Sequence, residues 1–459
     1  MPRIIFAGVA VAMTVLLFTA PLQAQSNTAP QAVSQEASES EKIAVLEEQS
    51  REAYAAEKWV AFYIANMKLS ELRPFEPEYM VNIIRACALL DRKSTAYHYM
   101  LKMQQQGMTY DFNTTEDTLK IRDTEAYTFI NNTLVDAGEA AGTGTVAFTL
   151  PGNPAEFRAI AWDGSRDRFL VGTMREGVVM AVSIDGETEV LLQADDENGI
   201  WSISGLAVDV ERKRLWISSA STPLFAGFSP AEANLGALFE LDLETMELLG
   251  RYNLPVDGLK HELGSLALTD DGHVYVINRT TPIIYHKTPE GNRLEAFFAS
   301  PDLLALRDIA VISDNSRVFV ADAYKGILAI DPIGEQAAFV VGPETLNFGG
   351  IEGIEYRDGM LFVVQGGFEP QRVVRLELDD SRVVVQSIIP MANALDGFDQ
   401  PGTGTLQGDN LYYFANSGAE DVADVIVMST PQDAGVEVAP PGSTEIKRAM
   451  ETEQRQKKD

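Results

Sequence analysis

Cysteine is almost absent: Cys87 is the single thiol in 459 residues. No intrachain disulfide can form, so the fold has to hold by burial alone. Positive charge is scarce too, with 36 Lys and Arg against 67 Asp and Glu, a formal charge of −31. A surface of that sign repels nucleic acid and anionic lipid, which excludes both as general partners. Beyond the N-terminus no apolar run is long enough to suggest a membrane span. The four histidines, His98, His261, His273 and His286, include no pair at zinc-protease spacing. A Gly-x-Ser-x-Gly elbow and a Lys-bearing phosphate loop are also missing.

What is present begins with Arg3 and an apolar run from Ile4 to Ala20, followed by Leu22-Gln23-Ala24. That order reads as a signal peptide over 1–24, the alternative being an uncleaved anchor at the lower length limit for spanning. Residues 25–40 are small and polar, as in a flexible linker. Once the signal is cleaved, no membrane span is expected.

A helical period then covers 41–138. Trp59, Phe62, Tyr63 and Met67 share one face, and Met80, Ile83, Ile84 and Cys87 make a second stripe behind Pro77 at a helix start. Cys87 is expected to be buried and inert. After a turn at Leu89–Lys93, a helix with Ala96, Tyr97, Met100 and Met103 stops at Gly107, a C-cap. The stretch ACALLDRKSTAYHYMLKMQQQG resembles a tetratricopeptide unit, which implies a surface for a protein partner. The other reading is a helical module that only packs on its neighbour.

Beyond Gly142 the period becomes that of strands, and a unit repeats. Ile160-Ala161-Trp162-Asp163, Leu206-Ala207-Val208-Asp209, Leu266-Ala267-Leu268-Thr269, Ile309-Ala310-Val311, Ile354-Glu355-Tyr356 and Thr403-Gly404-Thr405 each open one. A polar turn and a second apolar strand follow every opener, for example Asp270-Asp271-Gly272 and then Val274–Ile277. Six such units predict a mainly β fold, a six-bladed propeller over 143–430 behind a small all-α domain. Thr145–Leu150 is expected to close the ring as the outer strand of the last blade. Thr222–Asn234 reads as an insertion over one face, and 431–459 as a polar tail.

The phrases FRAIAWDGSRDRFLVGT, SGLAVDVERKRLWISSA, LGSLALTDDGHVYVIN and LRDIAVISDNSRVFVADAYKGILAID resemble the senescence-marker-protein, gluconolactonase and luciferin-regenerating-enzyme-like (NHL-type) propellers. The resemblance implies a funnel with one divalent ion that polarises a lactone or ester carbonyl. It also implies export of a bacterial kind, to a periplasm or the medium. Two of the family's ligand positions fall on Arg158 and Arg307, or Asp308 if the register slips by one, and a guanidinium cannot ligate a cation. The residues that still fit a Ca²⁺ or other divalent site are Glu352, Asn278 and Asp322.

Pocket candidates at strand mouths are Arg158, Ser204, Asn278, Arg307, Asp322, Glu352, Gln365, Gln400 and Asn416. Three readings stay open: strand-end capping, a metal-assisted lactonase, or a pocket in which Arg158 and Arg307 hold a small polar or anionic ligand bidentately.

Overall fold

The computed structural model describes residues 39–419 and 424–435. The expected signal segment, all but the last two linker residues, and the tail beyond 435 lie outside the described residues. Glu39 and Ser40, read as linker, open the first helix instead.

Five α-helices come first: α1 (Glu39–Ala55), α2 (Trp59–Leu72), α3 (Pro77–Leu89), α4 (Lys93–Gln105) and α5 (Glu125–Asp136). Each packs on the next in the chain. The stripes behave as their spacing predicts in α3 and α4, where Met80, Ile83, Ile84, Cys87, Ala96, Tyr97, Met100 and Met103 are buried together. Burial pushes the Cys87 thiol up to about 11, so it stays protonated and inert. In α2 the buried face is Phe62, Ala65 and Leu69, with Trp59 and Tyr63 at its margin.

The turn between α3 and α4 places Asp91 at φ 55°. At the end of α4, Gly107 has φ 68°, its N–H donates to the Gln104 carbonyl, and the Met108 N–H donates to Met103. Those two bonds make a Schellman cap. The hairpin is not repeated further on: Glu116–Ile121 is a 3₁₀ stretch. The tetratricopeptide likeness therefore stays at the level of one αα-hairpin.

Six antiparallel sheets follow. Their first strands are Phe157–Asp163, Ser202–Asp209, Leu263–Leu268, Leu306–Val311, Ile351–Arg357 and Gly404–Gln407. These contact one another in a closed ring and form the innermost strand of each blade, so every repeat opener lies on the axis. Thr145–Pro151 pairs antiparallel with Asp424–Pro431 and completes the sixth blade, as the repeat order requires. Ala141–Gly142 adds a short fifth strand to the fifth blade through Ala392 and Asn393. Between blades, large apolar side chains fill the wedge, for example Phe148, Phe169, Tyr412 and Phe414 at the closure. The insertion Thr222–Asn234 folds back on the first blade, where the Ala226 N–H donates to the Arg175 carbonyl.

The helical domain docks on the loops of blades four and five. Arg372 is the anchor: its Nε donates to Gln365 Oε1 at 2.7 Å, its Nη1 to the Gln106 carbonyl at 2.9 Å, and its guanidinium lies 3.9 Å from the Phe368 ring centroid. A cation at the C-terminus of α4 satisfies carbonyls the helix leaves open and meets the negative end of its dipole. Phe75 stacks edge-on against Phe348, Lys325 pairs with Glu39 at 2.5 Å, and Arg73 lies over Tyr324.

Closure of the ring yields a direct test. Phe148 is buried and lies 5.3 Å from the Phe169 ring. Phe148→Ala is expected to destabilise the protein by about 3–5 kcal/mol, read as a lower midpoint in denaturant unfolding, with the helical domain and propeller lost together.

Candidate functional site

One local feature recurs at the start of five innermost strands. The pairing with the second strand slips between Phe157 and Ala159, Ile203 and Gly205, Leu263 and Leu266, Leu306 and Asp308, and Ile351 and Gly353. The residues at these bulges are Arg158, Ser204, Arg307 and Glu352, and Gly264 with Ser265, which together face Ile277. A bulge leaves a residue out of the ladder and re-aims its side chain. Here it turns Arg158, Ser265, Arg307 and Glu352, from four of the blades, toward the same end of the axis.

At that end lies a cavity of about 200 Å³ whose lining includes Arg158, Arg279, Arg307, Glu352, Gln400 and Thr403. Ser265, Phe157, Gly402 and Ser417 complete it. Arg307 Nε is 3.3 Å from Glu352 Oε1. Arg158 Nη1 donates to the Ser417 carbonyl at a long 3.5 Å. Arg279 has no side-chain hydrogen bond or ion pair among the described residues, and its stem lies over Gly264, where a Cβ would come within 2.8 Å. Burial, then the neighbouring Arg279, lowers the Arg158 pKa against the pull of Glu352. Burial and Arg307 lower that of Arg279 in the same way. Three guanidinium groups thus face one carboxylate in the lining, with Glu262 close enough to be felt by two of them.

Of the sequence candidates, Arg158, Arg307, Glu352 and Gln400 come together. The others do a different task. Asn278, Asp322 and Gln365 each end a second strand and pair with the first residue of the innermost strand. Each then ties down the loop leading into that strand. Asn278 Oδ1 accepts from the Glu262 N–H at 3.0 Å, and Asp322 Oδ2 accepts from the Leu304 and Ala305 N–H groups at 2.6 and 2.8 Å. Gln365 Nε2 donates to the Asn347 and Gly349 carbonyls. Asn416 accepts from Ile426 N–H and donates to the Asp424 carbonyl. Ser204 Oγ donates to the Leu263 carbonyl.

Asn278 and Asp322 do not line the cavity that Glu352 lines, and their oxygens already hold backbone N–H groups, so the three do not assemble as a ligand set. No cluster of three His, Cys, Asp or Glu suited to a metal occurs among the described residues. A divalent ion placed in the cavity itself would face the three guanidinium groups with Glu352 as its one carboxylate.

Sequence reasoning missed Arg279, Ser265, Thr403 and Ser417. Arg279 follows Asn278 in the turn after a second strand, outside any opener, and the signal that marks it is Gly264 opposite.

Asp308 sits one residue past the Arg307 bulge and points into the blades. Its oxygens accept from Ile309 and Ile354 N–H at 2.9 and 2.8 Å and from Thr403 Oγ1 at 3.3 Å. Burial raises its carboxyl to about 6. On the same axis Glu355 is pushed up to about 8, by burial first and Asp308 second.

No protein-family model matches this chain, and no curated protein matches it. Solved structures align with this chain at low identity. A putative gluconolactonase aligns with 13 % identity and a TM-score of 0.46 over 65 % of this chain and 96 % of its own. The PQQ-bound aldose sugar dehydrogenase of Streptomyces coelicolor aligns with 14 % identity and a TM-score of 0.44 over 64 % and 99 %. The nidogen–laminin complex gives 12 % and 0.38 over 50 % and 79 %.

The two raised carboxyls set a pH dependence. Each holds its proton more tightly folded than unfolded, so its stabilising contribution is full below the unfolded value and is lost as pH rises through the folded one. For Glu355 that window runs from its ordinary 4.5 to about 8. Glu355→Gln should match the wild type near pH 4 and be the more stable protein above pH 8, by thermal unfolding across that range.

Proposed function

We propose that this chain is a binding protein for a small anion, a carboxylate or phosphate, held at the arginine-lined mouth of the propeller. The observation that carries the reading is the convergence of Arg158, Arg279 and Arg307 on one cavity that holds Glu352 as its only acid among the described residues. Guanidinium forks suit planar or tetrahedral oxyanions, and partial desolvation strengthens each charge-assisted bond. Glu352 holds Arg307 in place, and Ser265 and Thr403 add hydroxyls at the rim.

The helical domain serves this site as a buttress. It packs on Phe348, on Gly349 and near Leu304, within the loops that lead into the Arg307 and Glu352 bulges. A metal-assisted lactonase is the alternative that the family resemblance suggests. It has no observation in the cavity that favours it over anion binding.

Like charges held together without a ligand oppose folding, so the site predicts two effects of opposite sign. Arg279→Met should raise the thermal midpoint of the free protein. It should also weaken phosphate or carboxylate binding by about tenfold or more, the size of one charge-assisted hydrogen bond. Calorimetry and melting on the same samples check both. A midpoint raised by Ca²⁺ and abolished by Glu352→Gln would overturn the anion reading, since an ion at about 100 times its Kd adds roughly 2.7 kcal/mol.

A further inference from the structure

The opposite end of the axis carries a second, larger cavity of about 460 Å³. Its wall is drawn from all six innermost strands, with Leu206, Leu266 and Ile309 among the apolar residues and Glu355 the one acid inside. Each of those strands is the inner edge of its sheet, so backbone N–H and C=O groups outside the ladder also border the space.

Glu355 has no hydrogen-bond donor or cation within bonding distance among the described residues. Around it, Asp308 acts from the neighbouring blade and Arg357 from its own strand. Arg357 is engaged with the Gly408 carbonyl at 2.6 Å. At the rim stand Asp209, Glu211, Asp270 and Arg212. The arginine is already committed, through Nη1 to Asp209 at 2.8 Å and through Nη2 to the Asp270 carbonyl at 2.7 Å. Both the rim and the interior therefore favour positive charge, the reverse of the arginine-lined mouth.

We propose that this second mouth binds a small organic ammonium ion, with its nitrogen on the Glu355 carboxylate and its hydrocarbon body against the apolar wall. A primary ammonium has three donors, which the carboxylate and the edge carbonyls can accept together. A metal ion is the poorer fit, because one carboxylate cannot replace its shell of oxygens. An anion is opposed by the acids Asp209, Glu211 and Asp270 at the rim, and a neutral alcohol would gain the apolar wall without the ion pair. The volume lies within the range of small-ligand pockets and suits an amine of modest size.

Because burial and the neighbouring Asp308 push the Glu355 carboxyl up to about 8 in the free site, binding at pH 7 has to displace a proton from it. The amine's apparent affinity should fall as pH drops below 8 and level off above it. Asp308 alters this little from the acid side, since it is largely ionised at pH 7.

The test is calorimetry on the full chain with n-hexylammonium, n-hexanol and hexanoate as probes, at pH 7 in two buffers of different ionisation heat. The proposal expects hexylammonium alone to bind and to release close to one proton, and Glu355→Gln to weaken it at least tenfold. Ala207→Leu, which fills the cavity wall and keeps Glu355, should abolish binding, with the thermal midpoint confirming that the variant is folded. Equal binding of hexanol and hexylammonium, or wild-type affinity in either folded variant, would overturn it. Titrating phosphate on the same samples reads the arginine-lined mouth separately, so one reading can fail while the other stands.

Discussion

A ring of six sheets exists only if its ends meet, and here they meet through seven residues, Thr145–Pro151, that precede the first blade and complete the last. Everything else is arranged around that pairing. Just before it, Ala141–Gly142 adds to the fifth blade, and Asn393 of that blade donates to the Ala137 and Glu139 carbonyls at the end of α5. Gly142 is required at φ 110°, where a Cβ would come within 2.4 Å of the Met391 carbonyl. The connection between the two domains is thus itself paired to two blades. With no disulfide available, closure rests on ladder hydrogen bonds and on the aromatic wedge around Phe148 and Phe169. The helical domain is fixed at both ends of its contact, by this connection and by Arg372.

Closure also explains where chemistry can occur. The innermost strands are packed among neighbours along most of their length, so only their ends leave room for polar side chains. The repeated bulge uses that room. Each extra residue leaves the ladder at the same height, and the three arginines and Glu352 come from four different blades. The second strands supply the counterpart: Asn278, Asp322 and Gln365, all at one structural position, spend their polar atoms on the loops that feed the bulges. Arg158, Arg307 and Glu352 open onto the cavity, while the strand-end residues hold the loops around it.

The repeat was legible because openers, polar turns and second strands recur with a period that only stacked blades explain. Ring closure by residues ahead of the first blade followed from the same order. The bulge was not legible, since alternation along a strand assigns sides only while the register holds. Glu156, two residues before Arg158, lies in a 3₁₀ turn and approaches Arg175 at 3.9 Å, while Arg158 lines the cavity. Asn278 and Asp322 looked like ligands because amides and carboxylates at strand ends serve either role. The partners that decide between them are backbone groups far away in the chain. Arg279 was hidden for a related reason: its importance depends on a missing side chain at Gly264, fifteen residues earlier.

The charge pattern gives the two mouths a common logic. With a net charge of −31, the chain repels an anion at a distance, but beyond about 8 Å that repulsion is screened at physiological ionic strength. Inside that range the three guanidinium groups dominate, and burial reduces the screening by salt. The same burial keeps them from solvent partners, which is why Arg158 and Arg279 hold their protons less firmly than usual. Asp308 stands between the ends of the axis, lowering the strain on Arg279 on one side and raising the cost of ionising Glu355 on the other. Its position is fixed by backbone N–H groups from two blades, so neither mouth can relax its charge by moving that carboxyl. A buried acid tied to the ring thereby makes the electrostatics of both ends a property of the closed propeller rather than of any single blade.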